Sequence, residues 1–193
     1  MTSSPNRRQG LALLLAAAGF VYPFAVYFGL GRMPPGAFVL VALVLVGARL
    51  ISVSGAAAAR PLAPAMAAVA LGTAVAGLTD AAVTAKLYPI LMSLGMAGAF
   101  GLSLVRPPTL IEIFARLSEP EPSPQARAYM RRVTQVWLVF LLVNAAVSAA
   151  SLASGDLRLW TLYNGLVSYL LMGVLFAGEY LVRRRVRARS GGR

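Results

Sequence analysis

A small set of polar and charged side chains lies within or at the ends of long apolar stretches, and these are the residues best suited to binding or chemistry. They are Arg49, Asn144, Asn164, Ser168 and Glu179. Because an unsatisfied amide or charge is costly in a hydrocarbon environment, each predicts a protein partner or a ligand. We take the five residues as the candidate lining of a polar site.

Asn144 lies at the midpoint of the uncharged stretch 133–155, which places its amide near the centre of a bilayer. The turn that follows centres on Asp156, and reflecting Asn144 about this residue leads to Ser168 and its neighbour Tyr169. The sequence therefore predicts Ser168 and Tyr169 as partners of Asn144. A bond between two helices and a contact with a substrate are the two interpretations.

The last apolar stretch carries a polar stripe. At 100° per residue, Asn164, Ser168 and Glu179 fall within an arc of roughly 80°, together with Leu171 and Leu175. Such a stripe is typical of a polar lining.

Glu179 and Arg49 each have two interpretations. Glu179 precedes Arg183 by four residues, the favourable order for an ion pair on a helix. If Glu179 instead titrates inside the bundle, it could couple a proton to transport. Arg49 lies near the end of its apolar stretch, so its side chain could reach the cytoplasmic surface. A pairing of Arg49 with Glu179 would form a charge-compensated buried site.

The residue inventory excludes several classes of enzyme. Cysteine and histidine are absent, which excludes disulfides, thiolate metal sites, cysteine nucleophiles and imidazole bases. The two aspartates, Asp80 and Asp156, are far apart, which excludes the clustered aspartates of a CDP-alcohol phosphotransferase site. We therefore predict no catalytic residue, no metal and no cofactor, and an enzyme is the least favoured class.

The composition predicts the elements that position these residues. Of the 193 residues, 59% are hydrophobic and 12% are charged, whereas soluble domains carry about 25% charged residues. Period-two alternation is absent, so we predict an all-α, polytopic membrane helix bundle in a single domain, 1–193. A short turn at Asp80 to Lys86 joins the third and fourth spans. The six predicted spans are 9–31, 36–55, 61–79, 87–105, 133–154 and 159–181.

The distribution of positive charge predicts the topology. The formal net charge is +12, and with a cytoplasmic N-terminus 15 of the 18 basic residues fall in cytoplasmic segments. Both termini are therefore predicted to be cytoplasmic, with a basic tail at 182–193. The charges alternate with apolar spans, so nucleic acid is not a predicted partner. A cleaved signal peptide is the less favoured alternative for the first span, because its apolar run exceeds a signal core.

The cytoplasmic loop 106–132 predicts a short amphipathic helix over 109–118. Thr109 and Glu112 form a capping box, and Glu112 can pair with Arg116 on one face. We expect this helix to lie on the inner membrane surface. Its apolar face, a candidate docking face for soluble proteins or for the membrane, consists of Leu110, Ile113, Phe114 and Leu117.

Four segments of the chain carry a family resemblance. They begin at Tyr22 (YPFAVYFGL), Leu87 (LYPIL), Arg131 (RRVTQVW) and Trp160 (WTLYNG, with GEYLVRR from Gly178). Together they resemble a family of small multi-pass bacterial inner-membrane proteins, often encoded beside genes for aryl polyene pigments of the xanthomonadin type. The Asp80 to Lys86 turn is also distantly similar to the septation protein A family. Neither resemblance implies a catalytic motif; both imply a cellular setting.

Three functional hypotheses follow. The first is a non-enzymatic inner-membrane accessory protein that assists synthesis or export of a lipid-like polyene or another envelope lipid. The second is a small transporter or flippase, with Asn144, Asn164, Ser168 and Glu179 along the path. The third is an envelope or septation-related scaffold. The expected partners are membrane lipids and biosynthetic or export proteins at the cytoplasmic face, and the sequence leaves homo-oligomer formation open.

Overall fold

The computed structural model describes residues 5–53, 59–116 and 121–190, and these residues form an all-helical bundle. The helices are α1 (Pro5–Gly29), α2 (Pro35–Val53), α3 (Ala59–Thr79), α4 (Ala81–Val105), α5 (Leu110–Ala115), α6 (Pro124–Ala153), α7 (Leu157–Leu162) and α8 (Ser168–Ser190). A π-helical segment, Tyr163–Val167, lies between α7 and α8.

Within the described residues, four helical segments are long and apolar enough to cross a membrane: Pro61–Thr79, Ala81–Val105, Pro124–Ala153 and Leu157–Arg184. Two shorter apolar helices, Ala17–Gly29 and Pro35–Ile51, precede them. Large apolar side chains cover the outside of the bundle; Leu78, for example, is 88% exposed. The predicted all-helical class is thus confirmed for the described residues, and four of the six predicted spans coincide with helices long and apolar enough to cross a membrane.

The connection between α3 and α4 differs from its prediction. Asp80 alone separates the two helices, and its carboxylate accepts from the backbone N–H groups of Ala82 and Val83, both at 2.9 Å. The expected turn from Asp80 to Lys86 is therefore wrong, because this cap starts α4 at once and places Lys86 in its second turn. Pro89 consequently lies inside α4.

Replacing Asp80 with alanine is expected to lower the free energy of unfolding by about 1 kcal/mol, because the first turn of α4 loses its capping acceptor. Asp80→Asn retains a side-chain oxygen at the same position and should cost much less. Unfolding of both variants in detergent checks this expectation. Equal losses for alanine and asparagine would contradict it.

Tyr22 on α1 compensates for the proline inside α4. Pro89 has no N–H, so the carbonyl of Ala85, four residues earlier, loses its helical donor. The hydroxyl of Tyr22 donates to this carbonyl at 2.9 Å. The ring of Tyr22 also packs on Tyr88, with centroids 4.7 Å apart. The repeated Tyr-Pro dipeptides of α1 and α4 therefore meet inside the bundle.

Two of the four residues of the candidate docking face pack into the bundle, so the expectation that Leu110 and Ile113 are available for docking is wrong. Thr109 caps α5, as predicted, and Glu112 pairs with Arg116 at 2.7 Å. However, Leu110 and Ile113 are buried in a core formed with α4 and α6. The reason is tertiary: the Ser103 hydroxyl, on the last turn of α4, accepts from the Leu110 N–H and holds α5 against the bundle. Phe114 is 49% exposed, and Leu117 lies outside the described residues.

A tight hairpin joins α6 to α7. Gly155 has a φ of +74°, a left-handed conformation that favours glycine, and Asp156 caps α7. The predicted centre of this turn is confirmed. α6 begins at Pro124, within the predicted cytoplasmic loop, and α8 continues to Ser190, within the predicted basic tail.

Candidate functional site

A chain of hydrogen bonds crosses three helical segments at the middle of the bundle. The amide nitrogen of Asn144 on α6 donates to the hydroxyl of Ser93 on α4 at 3.0 Å. The hydroxyl of Tyr163, the first residue of the π-helical segment, donates to the amide oxygen of Asn144 at 2.9 Å. Asn144 is buried, with 6% exposure. The predicted need for a partner is therefore met within the protein.

The predicted partners of Asn144 are wrong in detail. Neither Ser168 nor Tyr169 is the hydrogen-bond partner of the Asn144 amide. Tyr163 is, because its side chain is longer than that of serine and reaches Asn144 from a position nearer the hairpin. Another pair of residues at equal sequence distance from Asp156 does meet across the hairpin. The Ser148 hydroxyl donates to the amide oxygen of Asn164 at 2.6 Å.

Asn164 also supports the irregular part of the last helix. Its amide nitrogen donates to the carbonyl of Trp160, in α7, at 2.9 Å. Ser168, the residue after this segment, is buried. Asn164 and Ser168 therefore belong to the packed interior.

An apolar groove of about 290 Å³ lies between α6 and α8 and is bounded by the Asn144–Tyr163 pair. Its walls open to the outside of the bundle, since Val143 and Val174 are 55% and 70% exposed. The groove exists because α8 contacts α6 through large side chains: the rings of Trp137 and Phe176 pack with centroids 4.5 Å apart. The remaining lining residues are Phe140, Leu171 and Leu175.

The predicted polar stripe does not continue along α8. Asn164 lies in the π-helical segment, whose wider turn changes its phase relative to the residues of α8. Asn164 and Ser168 are buried, whereas Leu171 and Leu175 line the groove. Glu179 forms the predicted ion pair with Arg183, with nitrogen–oxygen distances of 2.9 and 2.8 Å.

Arg49 points into the bundle. Its Nη2 donates to the carbonyl of Leu15, in the middle part of α1, at 3.2 Å. Its reach to the cytoplasmic surface stays a prediction. Side chains on a helix lean towards its N-terminus, and Arg49 is four residues from the C-terminal end of α2. The carboxylate of Glu179 is engaged by Arg183, so the hypothetical pairing of Arg49 with Glu179 is not formed.

The five candidate residues thus belong to separate places: Asn144 at the groove, Asn164 and Ser168 in the core, Arg49 between helices, and Glu179 near the end of α8. Sequence reasoning missed Ser93 and Ser148 as partners. Ser148 could have been found, because it mirrors Asn164 about Asp156. Ser93 carries no local signal. Among the described residues, no group of three acidic side chains could hold a metal ion.

Comparison of the chain with family models, with curated proteins and with solved structures gave no match. The relationship to the pigment-linked inner-membrane family and to the septation protein A family stays a prediction.

Proposed function

We propose that this protein is a membrane-embedded accessory protein that binds a long amphiphile in the groove between α6 and α8. In this role it assists synthesis or export of a lipid-like polyene or another envelope lipid. The observation that carries the proposal is an apolar groove, open to the outside of the bundle, with one hydrogen-bonded polar pair, Asn144 and Tyr163, at its wall.

The chemistry of the groove supports this class of ligand. Its aliphatic and aromatic walls suit an alkyl or polyene chain, which contributes binding energy through contact area. The oxygen of Tyr163, after donating to Asn144, retains lone pairs, and the amide of Asn144 retains a second N–H. A hydroxyl or carbonyl group of the ligand can therefore be recognised at one point along an otherwise apolar chain.

The transporter alternative has less support from the contacts. The polar groups of Asn144, Asn164 and Glu179, which that hypothesis places along a path, are bonded to other protein groups. The scaffold alternative has no contact in its favour. The non-enzymatic part of the proposal rests on the composition, in which the usual proton carriers and nucleophiles, histidine and cysteine, do not occur.

We further propose that the chain lies in a bacterial inner membrane with six spans and with both termini in the cytoplasm. The concentration of arginine in the segments assigned to the inside supports this orientation. The helical segments α5 and α8 would then end at the cytoplasmic face, where biosynthetic or export proteins could dock.

Filling the groove tests the proposal. Leu171 lines the groove and is 45% exposed, whereas its neighbour Leu170 is 60% exposed and lies outside it. Leu171→Trp is expected to remove most of the amphiphile that co-purifies with the protein, as measured by mass spectrometry of extracted lipids. Leu170→Trp adds the same side chain on the same helix and should leave the amount unchanged.

The same two variants test whether amphiphile binding is needed for the protein's role in the cell. In a deletion strain of the native host, Leu170→Trp should restore the normal distribution of pigment and lipids between inner and outer membranes, and Leu171→Trp should not. Equal co-purification of amphiphile by the two tryptophan variants would overturn the proposed groove. Equal restoration by both would overturn its role in synthesis or export.

A further inference from the structure

The hydrogen bonds of the Asn144–Tyr163 pair leave one donor and one acceptor for a ligand. Tyr163 donates its phenol hydrogen to the amide oxygen of Asn144 at 2.9 Å, so its own oxygen can only accept from a ligand. One N–H of Asn144 is donated to the Ser93 hydroxyl at 3.0 Å, and the other forms no hydrogen bond within the described part of the chain. The pair therefore offers one N–H group and one phenol oxygen.

Both groups belong to the groove between α6 and α8. Asn144 and Tyr163 are among the residues that line it. The amide nitrogen and the amide oxygen of Asn144 are bonded to the same carbon, and Tyr163 contacts that oxygen. One ligand atom can therefore lie within hydrogen-bonding distance of the second N–H of Asn144 and of the phenol oxygen of Tyr163.

The lining of the groove disfavours other polar groups of a ligand. The described residues that line it carry no charge, so a carboxylate or phosphate would lose its hydration without gaining a cation. An ester or ether oxygen accepts from Asn144, but it has no hydrogen to donate to Tyr163. A neutral hydroxyl is a donor and an acceptor at once, so it satisfies both groups.

We propose that the groove selects amphiphiles that carry a neutral hydroxyl group, and that Asn144 and Tyr163 determine this selectivity. The hydroxyl oxygen accepts from the second N–H of Asn144, and its hydrogen is donated to the Tyr163 oxygen. Together with the bond from Tyr163 to Asn144, these bonds close a ring in which each group polarises the next. The inference rests on the proposed function, because it assigns the ligand class of the same groove.

Two probes that differ in one donor test this selectivity. Oleyl alcohol and oleyl methyl ether share a chain and an acceptor oxygen, but only the alcohol can donate. Their binding is measured with the purified full-length protein in a nonionic detergent, and Leu171→Trp, in which the groove is filled, gives the background from micelles. We expect the alcohol to bind about tenfold more tightly, because the ether leaves the Tyr163 oxygen without a donor.

A double variant shows where the preference arises. Asn144→Leu combined with Tyr163→Phe replaces both partners by apolar side chains of similar shape, so neither is left buried without the other. In this variant the two probes should bind with equal affinity. Ser148→Ala is the matched control: it removes a buried hydrogen bond between α6 and Asn164, outside the groove, and should keep the preference.

The outcomes separate this inference from the proposed function. If neither probe binds better to the unsubstituted protein than to Leu171→Trp, the groove is not an amphiphile site and both proposals fail. If both probes bind the groove equally well, the hydroxyl selectivity alone is overturned. It is also overturned if the preference survives in the double variant, because the size of the ether methyl group would then explain the difference. The comparison of the two probes on the unsubstituted protein stays decisive if the double variant does not fold.

Discussion

Replacing Gly95 with alanine is expected to lower the free energy of unfolding by about 2 kcal/mol relative to the same replacement at Gly98. Both glycines lie on α4 and border the same surface groove against α3. A methyl group on Gly95 would overlap Cγ2 of Val69 and lie 3.4 Å from the carbonyl oxygen of Ala65. A methyl group on Gly98 meets nothing within 4 Å.

The comparison removes the effect of helix propensity, because both variants exchange glycine for alanine within one helix. Reversible unfolding in a detergent or bicelle gives the two free energies. A second cycle uses Val69→Ala: without the valine methyls, Gly95→Ala should lose most of its cost. Similar stabilities for the Gly95 and Gly98 variants would contradict the close approach of α3 and α4 at this point.

Removing the hydroxyl of Tyr22 is expected to cost about 1–2 kcal/mol, because the carbonyl of Ala85 then has no donor inside the bundle. The cost should depend on Pro89. In a Pro89→Ala background, residue 89 regains an N–H that can bond to Ala85, so Tyr22→Phe should be nearly neutral there. The double-mutant cycle therefore predicts a coupling of about 1 kcal/mol between side chains on α1 and α4.

Tyr88→Phe is the matched control for this cycle. It removes the same atom from the ring that packs on Tyr22, but this hydroxyl has no protein acceptor among the described residues. Its removal should not lower the free energy of unfolding, because this hydroxyl is buried without an acceptor. If Tyr22→Phe costs the same with and without Pro89, the hydroxyl is not compensating for the proline, and the coupling between α1 and α4 has another origin.

The sequence by itself determined the features that depend on local spacing. The scarcity of charge indicated a helical membrane protein, and Thr109 was identified as the cap of α5. The ion pairs of Glu112 with Arg116 and of Glu179 with Arg183 follow from the four-residue repeat of a helix. These interactions involve residues within one or two turns of each other, so their geometry is fixed once the helix forms.

Only the tertiary structure decided which groups meet across helices. In a soluble protein, the apolar face of a helix marks the core, but these helices are apolar on nearly all sides, so hydropathy does not distinguish a packed face from a lipid-facing one. The partners Ser93 and Tyr163 of Asn144 and the burial of Leu110 therefore could not be read from the pattern. The direction of Arg49 likewise depended on the space that Gly19 leaves on a neighbouring helix.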